Sequence, residues 1–178
     1  MSVDLAQKAG KIKAVLFDVD GVLTDGSLTF TEEGKELKTF NAKDGQGIVM
    51  LVKSGYITGI ITARKNPTVR HRFENLGMTK LFEGEKNKLK ALEEFMAEFN
   101  VNLDEIAYVG DDLPDICVLS RVGLACTPAD GMDEVKKYVH FISSKNGGRG
   151  AVREICDFIL KSAGKYPEIT EKGLVFSK

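Results

Sequence analysis

Short runs of apolar residues alternate along this chain with longer stretches in which apolar residues recur at helical spacing. An apolar run bounded by turn residues is typical of a buried strand. The predicted strands comprise residues 14–18, 56–62, 81–82, 106–109, 123–126 and 139–142. The predicted helices comprise residues 48–54, 66–77, 85–100, 113–122, 132–138 and 151–163. Residues 27–30 and 36–40 flank a turn and predict a β-hairpin.

This alternation of strands and helices predicts an α/β fold, a doubly wound, Rossmann-like parallel sheet covered by helices on both faces. We expect one domain over residues 1–178, with the hairpin inserted at about residues 26–40. A polar arm precedes the first strand, a glycine-rich loop spans residues 41–47, and a mainly polar tail covers residues 164–178.

Composition narrows the function. The formal net charge is −1 and charges are interspersed, so we expect no nucleic-acid partner. The sequence contains no apolar run of membrane-spanning length and no signal-peptide core, which favours a cytoplasmic protein without a membrane partner. Cys117, Cys126 and Cys156 show no metal-binding spacing. With His71 and His140 as the only histidines, catalysis is expected to depend on carboxylates.

Polar residues cluster where the predicted strands end. Asp18 and Asp20 follow the first strand, Thr62 ends the second, and Asp111-Asp112 follows the fourth. Ligands of such sheets bind at the carboxyl ends of the strands, where the strand order reverses. Converging carboxylates repel unless a cation relieves them, and hard oxygen ligands suit Mg²⁺. With donors from Thr62 and Lys88, this constellation predicts a site for a phosphoryl group.

Four segments resemble the motifs of the haloacid dehalogenase superfamily of phosphatases. They are D-V-D-G-V-L-T-D at 18–25, I-I-T-A-R at 60–64, N-K-L at 87–89 and V-G-D-D-L-P-D at 109–115. Two further segments resemble the small members that act on 3-deoxy-D-manno-octulosonate 8-phosphate (KDO 8-phosphate) in lipopolysaccharide precursor synthesis. These are L-K-T-F-N-A-K-D-G-Q-G-I at 37–48 and G-G-R-G-A-V-R-E-I-C at 147–156. Ala63 departs from the pattern, since many relatives have glycine there.

The resemblance implies a phosphomonoesterase that hydrolyses KDO 8-phosphate with Mg²⁺ through an aspartyl-phosphate. It implies that Asp18 is the nucleophile, that Asp20 is the general acid and base, and that Thr62 and Lys88 hold the phosphoryl oxygens. The implied metal ligands are Asp18, the main-chain carbonyl of Asp20, and Asp111; the roles of Asp112, Asp115 and Arg149 stay open. The implied substrate contacts are Asp20, Asn41, Ala42, Lys43, Asp44, Gly45, Arg64, Arg72 and Lys88.

Three alternatives remain at this point, of which a mutase or phosphotransferase is disfavoured because nothing in the sequence indicates a site closed to water. A nine-carbon sugar acid 9-phosphate of the KDN or sialic-acid type would use the same phosphoryl site, and a noncatalytic binding partner would keep the fold alone. The short gaps between motifs leave no room for the cap domain of larger members. We therefore expect a neighbouring subunit to close the site, through the hairpin or residues 174–176, and the resemblance implies a homotetramer.

Overall fold

A computed structural model of the chain describes residues 3–166, and the predicted tail contact at residues 174–176 lies outside this range. The strands, in chain order, are β1 (Ala14–Phe17), β2 (Thr29–Phe30), β3 (Glu36–Leu37), β4 (Ile57–Thr62), β5 (Lys80–Glu83), β6 (Ile106–Val109), β7 (Leu124–Thr127) and β8 (Phe141–Ile142). Six of them form one parallel sheet in the order β5-β4-β1-β6-β7-β8. Strands β2 and β3 form the separate antiparallel hairpin.

The helices are α1 (Val3–Gly10), α2 (Ala42–Lys53), α3 (Pro67–Asn75), α4 (Lys88–Phe99), α5 (Ile116–Leu119), α6 (Asp133–Lys136) and α7 (Ala151–Ser162). One buried cluster joins α2 and α7 to one face of the sheet, including Val15 and Phe17 of β1. A second cluster joins α4 and α5 to the opposite face, including Ala14 and Leu16. Because alternate residues of β1 are buried on both faces, the strand is apolar throughout, and the predicted doubly wound sheet is confirmed.

The prediction of a glycine-rich loop at residues 41–47 was wrong. Helix α2 begins at Ala42, and the side chain of Asn41 caps it by accepting hydrogen bonds from the backbone N–H groups of Lys43 and Asp44. The glycines lie inside the helix because the packing needs them. A side chain at Gly47 would press against α7, where helix α2 makes close contact. Tertiary packing therefore overrides the low helix propensity of glycine.

Two other expectations need correction. The polar N-terminal arm contains α1, which packs against α7 and helps to bury Ala9 and Ile12. The helix predicted over residues 113–122 is instead a 3-10 turn at Leu113–Asp115 followed by the single-turn helix α5. Within residues 3–166 the hairpin is the one insertion between the sheet and its helices, so this part of the chain carries no cap domain. No helix described there has the length and apolar content needed to cross a bilayer.

Candidate active site

The predicted catalytic and metal-binding residues meet at the carboxyl ends of three adjacent strands. Strand β1 lies between β4 and β6, and the chain moves outward from β1 on one side before it returns on the other. This reversal of strand order is where such sheets bind ligands. A cavity of about 160 Å³ opens there. Its lining residues are Asp18, Asp20, Thr62, Ala63, Arg64, Lys88, Asp111, Asp112, Pro114 and Asp115.

Lys88 carries a buried ammonium group at the first residue of α4. Its Nζ lies 3.0 Å from Oδ1 of Asp18, 2.6 Å from Oδ1 of Asp115 and 3.3 Å from the Tyr108 hydroxyl. Burial alone would lower the pKa of Lys88, but the carboxylates of Asp18 and Asp115 outweigh it and raise that pKa. The site therefore holds a fixed positive charge beside the predicted nucleophile.

Asp115 holds this arrangement together. Its Oδ1 accepts hydrogen bonds from Lys88 and, at 2.6 Å, from the Tyr108 hydroxyl. Its Oδ2 accepts from the backbone N–H groups of Asp111 and Asp112, at 3.1 and 3.2 Å. One buried carboxylate thus positions both the ammonium group and the peptide that carries Asp111. We did not predict a role for Tyr108, although a tyrosine in an otherwise apolar buried strand implies a hydrogen-bond partner.

Asp111 is under-satisfied in the absence of a cation. Its Oδ1 is buried and has no hydrogen-bond partner within the described chain. Burial and the carboxylates of Asp18 and Asp115 raise its pKa to about 8. Burial and Asp115 also raise the pKa of Asp18 to about 6, against the opposing effect of Lys88. A side chain at Gly21, whose φ is 85°, would overlap the Asp111 carboxylate, so glycine is required there.

This geometry fits a divalent cation. One carboxylate oxygen each of Asp18, Asp111 and Asp115 can lie within 4.8 Å of one another. Since the oxygens of Asp115 already accept four hydrogen bonds, Asp18 and Asp111 have the available ligand atoms. The side chain of Asp20 does not join this group, and a metal contact through its main-chain carbonyl stays a prediction. Oxygen ligands without histidine or cysteine favour Mg²⁺.

Asp20 faces two cations on the other side of the cavity. Its Oδ1 forms an ion pair with Lys38, which follows β3, and its Oδ2 lies 3.5 Å from Nε of Arg64. Glu36 binds the same two cations, at 3.0 and 3.4 Å. Sequence reasoning missed Glu36 and Lys38, because only the folded hairpin brings them to Asp20. Thr62 is buried, and its hydroxyl oxygen accepts a hydrogen bond from the backbone N–H of Arg64 at 3.3 Å.

The structure places the remaining predicted substrate residues outside this cavity. The carboxylate of Asp44 is buried and accepts hydrogen bonds from the backbone N–H groups of Gly150 and Arg153 at the start of α7. Arg72 donates a hydrogen bond to the carbonyl oxygen of Asn41 at 3.2 Å, and Gly45 lies against it. Substrate contacts through Asn41, Ala42, Asp44, Gly45 and Arg72 stay predictions.

Lys43 lines a larger cavity, of about 760 Å³, along α7. Asp18, Asp20, Thr62, Lys88 and Asp111 do not line it. The chemistry predicted from the sequence therefore belongs to the smaller cavity, and a substrate contact through Lys43 stays a prediction.

The loop before α7 supports the turn that carries the predicted catalytic residues. Arg149 forms an ion pair with Asp25 at 2.7 Å, and the backbone N–H of Gly148 donates to the carbonyl oxygen of Val22 at 3.0 Å. Side chains at Gly147 or Gly148 would overlap the backbone of that turn. The G-G-R-G segment is thus explained by close approach of two backbones.

Comparison with known proteins agrees with this geometry. Residues 75–155 match the family of haloacid dehalogenase-like hydrolases. The 3-deoxy-D-manno-octulosonate 8-phosphate phosphatase KdsC of Yersinia pestis is 40% identical over 167 residues, which cover 94% of this chain and 89% of that protein. The chain belongs to the haloacid dehalogenase-like hydrolases. KdsC of Escherichia coli K12 is likewise 40% identical to this hydrolase, over 168 residues.

Solved structures resemble this hydrolase over nearly its whole length. A probable YrbI family phosphatase from Pseudomonas syringae pv. phaseolica 1448a is 46% identical, with a TM-score of 0.94 over 97% of this chain and 98% of that one. The KDO 8-phosphate phosphatase of Moraxella catarrhalis, solved with magnesium, phosphate and KDO, is 35% identical. Its TM-score is 0.94 over 97% of this hydrolase and 99% of that chain. A homologue with this fold therefore binds Mg²⁺.

Proposed function

We propose that this haloacid dehalogenase-like hydrolase is a Mg²⁺-dependent phosphatase that converts KDO 8-phosphate to KDO and inorganic phosphate. The observation that carries the proposal is the 3.0 Å contact between Lys88 and Asp18 beside the unpartnered oxygen of Asp111. A nucleophile, an anchor for phosphoryl oxygens and a metal ligand then share one cavity. The Yersinia pestis relative, named for this reaction and 40% identical, supports the choice of substrate.

In the first half of the reaction, an oxygen of Asp18 attacks phosphorus and the bond from phosphorus to the sugar oxygen breaks. Asp20 gives its proton to that oxygen, and Asp18 becomes an aspartyl-phosphate. Lys88 and Thr62 donate hydrogen bonds to the phosphoryl oxygens. A bound Mg²⁺, held by Asp18 and Asp111, would supply the positive charge that lets an anionic carboxylate approach an anionic phosphate.

In the second half, Asp20 accepts a proton from water as the water oxygen attacks phosphorus. The bond from phosphorus to Asp18 breaks, inorganic phosphate leaves, and Asp20 is again protonated for the next cycle. Asp20 is suited to both tasks because its side chain lines the cavity without joining the cluster of Asp18, Asp111 and Asp115.

Arg64 is the residue best placed to select a sugar acid. Its side chain lines the cavity, remains 48% exposed and, among residues 3–166, has only the long ion-pair contacts to Asp20 and Glu36. A guanidinium group can bind a carboxylate through two parallel hydrogen bonds, which suits the acid group of KDO. Binding of the substrate carboxylate by Arg64 would select phosphorylated sugar acids over phosphate esters that have no carboxylate.

We also propose that the enzyme is a cytoplasmic homotetramer in which a neighbouring subunit covers the cavity. Three large apolar side chains of the hairpin, Leu28, Phe30 and Leu37, are exposed. Apolar groups clustered on a small projecting element are typical of an interface. The three free cysteines are compatible with a reducing compartment.

A substrate panel tests the proposed function. We expect Mg²⁺-dependent phosphate release with the highest kcat/KM for KDO 8-phosphate, and none with EDTA. A higher kcat/KM for KDN 9-phosphate would show that the nine-carbon sugar acid phosphate, and not KDO 8-phosphate, is the preferred substrate. The absence of phosphate release from any ester would favour a noncatalytic binding partner. Arg64→Ala should reduce turnover of the sugar acid about tenfold or more while sparing p-nitrophenyl phosphate, because only the former offers a carboxylate.

A further inference from the structure

Lys38 carries a buried ammonium group on a hairpin that is otherwise largely exposed. Its side chain is only 1% exposed, whereas Leu37 beside it and Phe30 of the opposite strand are exposed. Burying an ammonium group is costly unless carboxylates compensate it. The burial of Lys38 therefore needs an explanation in terms of its partners.

Those partners are the predicted general acid and a second carboxylate. Lys38 pairs with Oδ1 of Asp20 and, at 3.0 Å, with Oε1 of Glu36. The hydrogen bond from Lys38 lowers the pKa of Glu36. Arg64 completes the group through its contacts with Asp20 and Glu36. The charges of two cationic and two carboxylate side chains thus balance at the edge of the cavity.

The two cations differ in how easily they can leave Asp20. Arg64 is half-exposed and lies 3.5 Å from Oδ2, so an incoming ligand can take its place. Lys38 is enclosed and holds Oδ1. We infer that Lys38 is a positioning residue for Asp20, which fixes Oδ1 and leaves Oδ2 to exchange protons with the leaving oxygen and then with water. This inference rests on the proposed role of Asp20 as general acid and base.

A purely structural role makes a different prediction. If Lys38 only anchored the hairpin, its loss would affect every substrate to a similar degree. If Lys38 positions Asp20, its loss lowers kcat/KM mainly where the leaving oxygen needs a proton, because kcat/KM reports the steps up to departure of that oxygen and not the later hydrolysis of the aspartyl-phosphate. A sugar alkoxide needs that proton, whereas p-nitrophenolate leaves readily without it.

The experiment compares kcat/KM of Lys38→Met for KDO 8-phosphate and for p-nitrophenyl phosphate in the presence of Mg²⁺. We expect a loss of about 100-fold for the sugar phosphate, the lower end of general-acid effects, and less than about threefold for the aryl ester. The ratio of the two values within one preparation does not depend on how much protein is folded. Equal losses for both esters, or no loss for either, would overturn the inference.

Two further variants complete the design. Lys35→Met makes the same change at an exposed lysine of the same hairpin, and both kcat/KM values should stay at the wild-type level. Asp20→Asn tests the underlying function separately. If Asp20→Asn does not lower kcat/KM for the sugar phosphate more than for the aryl ester, the role proposed for Asp20 fails. If Asp20→Asn does so and Lys38→Met does not, only the role of Lys38 fails.

Discussion

Replacing Asp111 by asparagine should stabilise the metal-free protein and remove most of the stabilisation that Mg²⁺ gives to wild type. In the metal-free protein Oδ1 of Asp111 is buried and has no hydrogen-bond partner within the described residues. Asparagine has nearly the same shape but no ionisable group, so Asp111→Asn removes the cost of either burying the charge or, below the pKa of about 8, taking up a proton on folding. With Mg²⁺ the same substitution removes a ligand. We therefore expect the metal-free variant to be more stable than wild type, and Mg²⁺ to stabilise wild type much more than the variant.

The pKa of Asp111 sets the magnitude. Because it rises from 3.8 to about 8 on folding, the protonated form stabilises the metal-free fold fully below pH 3.8. That contribution is lost as the pH rises toward 8, at about 1.4 kcal/mol for each pH unit. At pH 7 the loss approaches about 4 kcal/mol, and local relaxation can halve it. Since about 1 kcal/mol shifts Tm by roughly 2 to 4 °C at this size, Asp111→Asn should raise the metal-free Tm by about 5 to 10 °C.

Thermal unfolding in EDTA and in saturating Mg²⁺, at pH 5 and pH 7, measures this effect. The difference between the metal-free proteins should be less than half as large at pH 5 as at pH 7. Mg²⁺ at 100 times its Kd should stabilise wild type by about 2.7 kcal/mol and the variant hardly at all. A metal-free variant less stable than wild type at pH 7, or an unchanged response to Mg²⁺, would refute the reasoning.

Three other predictions follow from the same site. Lys88→Gln should lower kcat/KM at least 100-fold and weaken inhibition by inorganic phosphate, because it removes the ammonium group that faces Asp18. Steady-state kinetics measures both effects, and unchanged inhibition by phosphate would contradict the prediction. Asp115→Asn should reduce both Mg²⁺ affinity and kcat, because the Asp115 carboxylate binds the backbone N–H of Asp111 as well as Lys88. Calorimetry measures the affinity and steady-state kinetics measures kcat, and a loss of Mg²⁺ affinity alone or of kcat alone would contradict this prediction. Between pH 6 and pH 8, Mg²⁺ binding should release about one proton, because the pKa of Asp111 is about 8 and that of Asp18 about 6. Calorimetry in buffers of different ionisation enthalpy would detect this, and a buffer-independent heat would contradict it.

The central sheet and the convergence of Asp18, Thr62 and Asp111 could be predicted from the sequence. Parallel strands place their carboxyl ends at one edge, so polar residues that follow neighbouring strands meet in space. The apolar character of residues 14–17 also indicated burial on both faces, and both faces are covered. The local pattern sufficed here because the site follows from regular geometry.

The first turn of helix α2 could not be predicted, because glycines in a sequence usually indicate a turn. In the structure these glycines lie within the helix and allow close packing. Gly47 allows contact with α7, a partner more than a hundred residues away in the chain. Lys38 and Tyr108 were missed for a related reason. Their importance lies in contacts with Asp20 and Asp115, and only the folded hairpin and the 3-10 turn bring those partners together.

The most direct test of the account is whether Asp18 itself becomes phosphorylated. Wild-type enzyme mixed with KDO 8-phosphate and Mg²⁺ would be stopped in acid within milliseconds, and its peptides examined by mass spectrometry. The account predicts a phosphoryl group on the peptide that contains Asp18, absent with EDTA and absent in Asp18→Asn. Full turnover by Asp18→Asn, or a phosphorylated residue elsewhere in the wild-type chain, would contradict it.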